Sequence, residues 1–146
     1  MTVIESRRIS LRLISEEDAP ELQAYYMRNA RHLEPWEHSR PDGYHTIPEW
    51  EKRAKQFAEE ISEGHSYRFA ARLHGDAEVM AVANFTNVVR GAFLACNLGY
   101  SIDARCQGRN LMFEGLSVLI PYVFQEYRLH RIMANYIPEN TRSANF

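Results

Sequence analysis

The stretch Leu98–Met112, LGYSIDARCQGRNLM, holds residue types that could seat a charged ligand. Gly-Tyr-Ser-Ile ends a strand-like run, Gln107-Gly108-Arg109-Asn110 makes a polar turn with a glycine in it, and an apolar-periodic run begins at Leu111. The spacing predicts strand, turn and helix N-terminus in succession. Unpaired backbone N–H groups and the positive end of the helix dipole meet at such a junction, so phosphate oxygens find donors and a favourable potential there. An ordinary strand-to-helix turn fits the same spacing, and the local sequence leaves both readings open.

The hydrophobic period outlines the elements that must hold this junction. Arg7–Ile14 (RRISLRLI) alternates, with Ile9, Leu11 and Leu13 on one side and Arg8, Ser10 and Arg12 on the other, which predicts a half-buried strand. Ser15 is suited to cap a following helix, Glu16, Glu17 and Asp18 put negative charge in its first turn, and Pro20 falls early enough to be tolerated. Leu22, Tyr25 and Tyr26 would form its inward face. Asn29–Ile47 reads as a loop with three histidines and Trp36. It suits a substrate-facing lid, or a surface connection with Trp36 tucked into the core. Pro48 suits a first helical turn, and Ile47, Trp50, Ala54, Phe57 and Ile61 step by three and four residues toward Gly64, the pattern of an amphipathic helix.

From Ser66 the period becomes two. Tyr67, Phe69 and Ala71 lead into the turn His74-Gly75-Asp76 and on to Val79–Phe85, an antiparallel hairpin, and a second turn at Arg90-Gly91 returns the chain along Ala92–Ile102. The helix after the junction carries Leu111, Met112, Leu116, Leu119, Ile120 and Val123 on one side; Gly115 lowers its propensity and Pro121 predicts a kink. His130–Ile137 (HRIMANYI) reads as a strand. Strand, helix and strand joined by short loops predict a right-handed crossover, with Ala92–Ile102 and His130–Ile137 parallel.

One domain is expected, because 146 residues that are 45% hydrophobic suffice for one core. A net charge of −2, from 17 basic and 19 acidic residues with the arginines scattered, argues against direct nucleic-acid binding and suits a basic partner such as a cationic peptide tail. Cys96 and Cys106 have no Cys-x-x-Cys pair or histidine cluster beside them, so free thiols in a reducing compartment are expected and a metal site is not. The N-terminus MTVIESRR has no apolar run and no stretch is long enough to span a bilayer; a soluble cytoplasmic protein is expected.

ANFTNVVRGAF (Ala83–Phe93), LGYSI (Leu98–Ile102), QGRNLMFE (Gln107–Glu114) and HRIMANYIPEN (His130–Asn140), with a weaker likeness through HLEPWE (His32–Glu37), resemble the GNAT superfamily of acetyl-CoA-dependent N-acetyltransferases. Within it they are most similar to the Rim-type enzymes that acetylate the N-terminal alanine of a ribosomal protein. The likeness runs along nearly the whole chain. It implies an α+β fold, in three α/β layers, whose mixed and mostly antiparallel sheet is flanked by helices. One parallel β-α-β unit would open a wedge for acyl-CoA between Leu98–Ile102 and His130–Ile137. The resemblance also implies that the pantetheine arm pairs with backbone groups near Tyr100 and Ile102. Amides of Gln107, Gly108, Arg109, Asn110, Leu111 and Met112 would hold the pyrophosphate. The family signature Gln/Arg-x-x-Gly-x-Gly/Ala is matched at Gln107, whereas Asn110 stands at the central glycine and Met112 at the last small position. Asn is the non-glycine residue best able to take a left-handed backbone, so Asn110 need not destroy the loop.

Acetyl transfer to an amine requires a neutral nitrogen, a polarised thioester carbonyl and a proton for the departing thiolate. The resemblance assigns carbonyl polarisation to the N–H of Leu98 or Gly99, a pantetheine contact to Asn140, and hydrogen bonding to the departing sulfur to Ser143. Asn140 and Ser143 also fit as ordinary helix-start residues. Some relatives carry Glu where Asn97 stands, and Asn cannot take a proton from an ammonium group. That leaves a water relay to His32, Glu34 or Glu114, or else solvated-surface roles for all three. An acceptor α-amine with a pKa of about 7.7–8.0 is already partly neutral, which favours an N-terminal amine over a lysine side chain.

GNAT domains continue through a helix and usually two more strands past the position of Phe146. The resemblance therefore implies that residues 1–146 are a single N-acetyltransferase domain lacking its C-terminal strands, preferably read as a fragment of a longer protein. The alternative is a homodimer in which a partner copy completes the surface. Two other functions remain open: acetylation of a small-molecule amine, and a non-catalytic CoA-binding or ribosome-assembly module.

Overall fold

The computed structural model describes residues 2–30, 46–90 and 94–134. Among these residues six strands form one sheet in sequence order: β1 (Ile4–Glu5), β2 (Ile9–Leu13), β3 (Tyr67–Leu73), β4 (Ala81–Val89), β5 (Ala95–Ile102) and β6 (Arg131–Ala134). β1 through β5 are successively antiparallel, and β5 and β6 are parallel across the crossover helix. Three α-helices among the described residues accompany them: α1 (Ala19–Arg28), α2 (Ile47–Glu63) and α3 (Leu111–Tyr127). The predicted meander and parallel unit are both present, and β1 and β2 extend the antiparallel part by two strands.

Strand alternation divides the core in two. Ile9, Leu11, Tyr67, Phe69, Ala81, Ala83, Phe85, Cys96 and Leu98 gather in one cluster with Leu111, Leu116, Leu119 and Val123 of α3. Ala70 and Val82, offset by one position, meet Leu22 and Tyr25 of α1 and Trp50 and Ala54 of α2. Because neighbouring residues of a strand face opposite sides, the same sheet supports α3 on one face and the α1–α2 pair on the other. The result is the expected three-layer α+β arrangement, with β5 feeding α3.

Local chemistry accounts for the helix ends. Thr46 accepts a hydrogen bond from Glu49 N at 3.4 Å, Pro48 lies in the first turn, and Gly64 closes α2 at φ +77°. Ile47, predicted on the buried face, is 40% exposed, since it stands at the helix start beyond the edge of the core. Tyr26 is only partly buried and stacks on Trp50 with ring centroids 4.8 Å apart. Ser15 precedes a 3-10 turn, Glu16–Asp18, and not α1 directly. Asp18, placed by the sequence among the acids of the helix start, is a buried hub there: it pairs with Arg12 and Arg72 and accepts from Ser15 N. Pro121 lies inside α3, and the helix runs on through it. No described helix is long and apolar enough to cross a membrane.

Candidate functional site

β5 delivers two faces and two edges to the junction. Leu98 is buried in the α3-facing core, and Tyr100 and Ile102 pack partly buried against the same cluster. Gly99 is exposed, and Ser101 on the opposite face bonds the Tyr25 hydroxyl at 2.7 Å. β5 pairs with β6 from Ala95↔Arg131 to Leu98↔Ala134, while Gly99 to Ile102 continue in register with Asn84 to Ala81 of β4. Successive N–H groups of a strand point to opposite edges. Of Leu98 and Gly99, therefore, one amide faces β4 and the other faces the β6 side, so only one can serve a ligand lying along that edge.

Asp103 then turns the chain. Its carboxylate accepts from Arg105 N at 2.9 Å, from Arg105 Nε at 3.1 Å and from Arg28 Nε at 3.0 Å, and its side chain is 1% exposed. Burial would raise its pKa, but the bonds from Arg105 first, then from Arg28 and Asn29, outweigh that and hold it well below the usual carboxylate range. Asn29 Oδ1 also accepts from Ala104 N at 2.9 Å. The end of α1 is thereby locked to the end of β5.

Gln107, Gly108, Arg109 and Asn110 are all exposed. Gly108 has φ +80° and Asn110 has φ +58°, ψ 22°, so the chain takes two left-handed residues within one turn. Asn110 adopts the conformation its residue type allows, standing where the family signature has glycine. The first α3 hydrogen bond runs from Glu114 N to Asn110 O at 3.0 Å, which leaves the N–H groups of Asn110, Leu111, Met112 and Phe113 ahead of the intrahelical ladder. Leu111 is buried and anchors the helix start, and Met112 packs partly buried beside it. An exposed turn of this shape can direct several backbone donors at one anion, and this donor set fits a diphosphate.

Glu114 closes the turn from the other side. It accepts from Ser6 Oγ at 2.5 Å, from Arg8 N at 2.8 Å and from Arg8 Nε at 2.6 Å. The Ser6 hydroxyl, and Arg8 after it, outweigh partial burial and bring its pKa down to about 2. With its two oxygens taken up by Ser6 and Arg8 and its pKa held low, Glu114 is poorly suited to act as a base, and it is tied to the β1–β2 connection and not simply solvated. His32, Glu34, Trp36, Asn140 and Ser143 lie outside the described residues. Asn97 is half-buried on β5, in register with Thr86 and Met133.

Ser6, Arg8, Arg28, Asn29 and Asp103 were not singled out from the sequence. Their partners lie as far as 108 residues away, as for Ser6 and Glu114, so no local spacing reports them.

Residues 8–146 match the acetyltransferase (GNAT) domain family. The [Ribosomal protein uS5]-alanine N-acetyltransferase of Escherichia coli (strain K12) is 41% identical over 138 residues, which is 94% of this chain and 71% of that protein. Among solved structures, the ribosomal-protein-S5-alanine acetyltransferase from Vibrio fischeri superposes with a TM-score of 0.93 at 33% identity, over 99% of this chain and 79% of that one. Mycobacterium smegmatis RimJ in complex with CoA-disulfide gives a TM-score of 0.88 at 25% identity, over 99% of this chain and 70% of that one. With its family match, its fold and these relatives in agreement, the chain belongs to the GNAT family of acetyl-CoA-dependent N-acetyltransferases.

Proposed function

We propose that this protein transfers the acetyl group of acetyl-CoA to the N-terminal α-amine of a ribosomal protein that begins with alanine. The observation that carries the reading is the 41% identity, sustained over 94% of the chain, to an enzyme of that name. Acetyl-CoA supplies an acetyl group activated as a thioester; the remaining work belongs to the chain.

In this reading the amides of Gly108, Arg109, Asn110, Leu111 and Met112 bind the pyrophosphate, and Gln107, whose N–H donates to Ala104 O at 3.4 Å, joins them only by giving up that long bond. The two left-handed residues and the unladdered first turn of α3 support that role. Backbone groups of Tyr100 and Ile102 orient the pantetheine arm, and Asn140 adds a polar contact to it. Whichever amide of Leu98 and Gly99 faces the β6 side polarises the thioester carbonyl, and Ser143 donates a hydrogen bond to the developing thiolate. With Asn97 unable to accept a proton and the oxygens of Glu114 taken up by Ser6 and Arg8, the acceptor amine enters through its own neutral fraction. An α-amine with a pKa of about 7.7–8.0 has such a fraction, and a lysine at about 10.4 has far less. The acceptor is a basic N-terminal peptide, which suits the chain's charge of −2.

Intact-mass spectrometry tests the reading. Alanine-starting ribosomal-protein peptides incubated with the protein and acetyl-CoA should gain one acetyl group at the N-terminus, and a peptide blocked at its α-amine but carrying free lysines should gain none. Acetylation of polyamines alone would transfer the acceptor role to small amines. CoA binding with no product from any amine would make the protein a binding module.

A further inference from the structure

Glu114 lies in the first turn of the helix whose N-terminus, in the reading above, receives a diphosphate. A carboxylate at that point is favourable to an isolated helix and unfavourable to a bound anion, because the same dipole attracts both and the two repel each other. The Glu114 side chain is 17% exposed, so water screens it incompletely. Arg8 meets this conflict directly. Its Nε donates to Glu114 Oε1 at 2.6 Å, and its Nη2 donates to the Arg109 carbonyl at 3.0 Å. One guanidinium thus spans the acid and the turn that cradles the phosphates, and its planar fork can serve both acceptors at once. Ser6 adds a third donor to the same carboxylate and tethers it to the β1–β2 connection.

We propose that Arg8 is a positioning residue for acetyl-CoA: it cancels the Glu114 charge beside the diphosphate and holds the Gln107–Asn110 turn by the Arg109 carbonyl. The β1–β2 end of the sheet, remote in sequence from the cofactor turn, thereby sets cofactor affinity. This rests on the assignment of the turn to the pyrophosphate. It adds a residue that touches neither the reacting atoms nor, in this account, the cofactor.

Calorimetric titration with CoA, together with kinetics, separates this role from simple bracing of the fold. Arg8→Ala should weaken CoA binding about tenfold and raise KM for acetyl-CoA with kcat little changed. Adding Glu114→Gln to Arg8→Ala should recover most of that loss, because the uncompensated charge goes with it. Acetyl-pantetheine, a thioester without the diphosphate, should be used equally well by Arg8→Ala and the unaltered protein. Glu114→Gln alone keeps Arg8 and should bind CoA at least as tightly as the unaltered protein, which keeps the idea testable should Arg8→Ala fold poorly.

Unchanged CoA affinity in Arg8→Ala, no recovery in the double variant, an equal defect with acetyl-pantetheine, or weaker binding by Glu114→Gln would each overturn the inference. If the unaltered protein binds CoA and any of these results is found, the inference fails alone. If the unaltered protein does not bind CoA, the assignment of the turn fails and takes the inference with it.

Discussion

Two carboxylates flank the Gln107–Asn110 turn, and they are built into the protein differently. Asp103, at the entrance, is 1% exposed, tied by Arg28 to α1 and by Arg105 to its own turn, with its N–H bonded to Met80 O at 2.7 Å. Glu114, at the exit, is 17% exposed and tied by Ser6 and Arg8 to the β1–β2 edge. Both are ionised, and each anchors one end of the turn. The difference in burial assigns them different work: removing the inner acid strands arginines and backbone donors within the fold, while removing the outer one chiefly changes the charge beside the turn.

The contrast is open to direct attack. Asp103→Ala should lower the unfolding free energy by about 2–3 kcal/mol, the size expected when a buried, charge-assisted set of hydrogen bonds is lost. A shift in urea midpoint equal to that of a surface variant would erase the distinction between the two acids. Glu114→Gln should cost about 1 kcal/mol or less, as its ion pair with Arg8 is partly solvated.

The pH dependence sharpens the second case. Glu114 falls from 4.5 to about 2 in the folded protein, so its contribution is complete above pH 4.5 and disappears as the pH drops toward 2. Unfolding curves across that window should be flatter for Glu114→Gln than for the unaltered protein. Some acid sensitivity should remain in the variant, because Asp103 and Asp18 are also shifted downward and lose their contribution in the same direction. Superimposable curves would mean that Glu114 gains nothing from Ser6 and Arg8.

Smaller effects define the scaffold between the acids. A Cβ at Gly115 would lie 3.8 Å from Ile9 Cδ1 and Leu11 Cδ2, ordinary contact distances, so Gly115→Ala should stabilise α3 by about 0.5–1 kcal/mol. Thermal denaturation checks this, and a loss of stability would mean that β2 and α3 cannot absorb a methyl. Asn110→Gly should change stability by only a few tenths of a kcal/mol, since both residues accept the left-handed backbone at φ +58°. CoA titration of that variant should show binding no weaker than before, because the turn acts through its backbone.

Much of this architecture was legible in the sequence. The change of period at Ser66 and the glycine-bearing turn before Leu111 located β3, β5 and α3, because amphipathic patterning is a local property. The left-handed backbone at Asn110 is one that its residue type was read as able to take. β1 is only two residues long and carries no period of its own, so it escaped notice. The two acid clusters escaped for another reason: Asp103 meets Arg28 across 75 residues and Glu114 meets Arg8 across 106, and only the assembled fold brings them together. The arginine partners of Asp18 were hidden in the same way, because an acid at a helix start reads identically whether it faces water or two arginines.

The account turns on the claim that the turn from β5 to α3 seats the CoA diphosphate. Amide hydrogen exchange with and without CoA tests that claim most directly. Slowed exchange concentrated in peptides covering residues 98–114, with peptides from α2 and the β3–β4 turn unchanged, is the expected result. Saturating CoA that protects α2 or the β3–β4 turn while residues 107–113 exchange as before would contradict it.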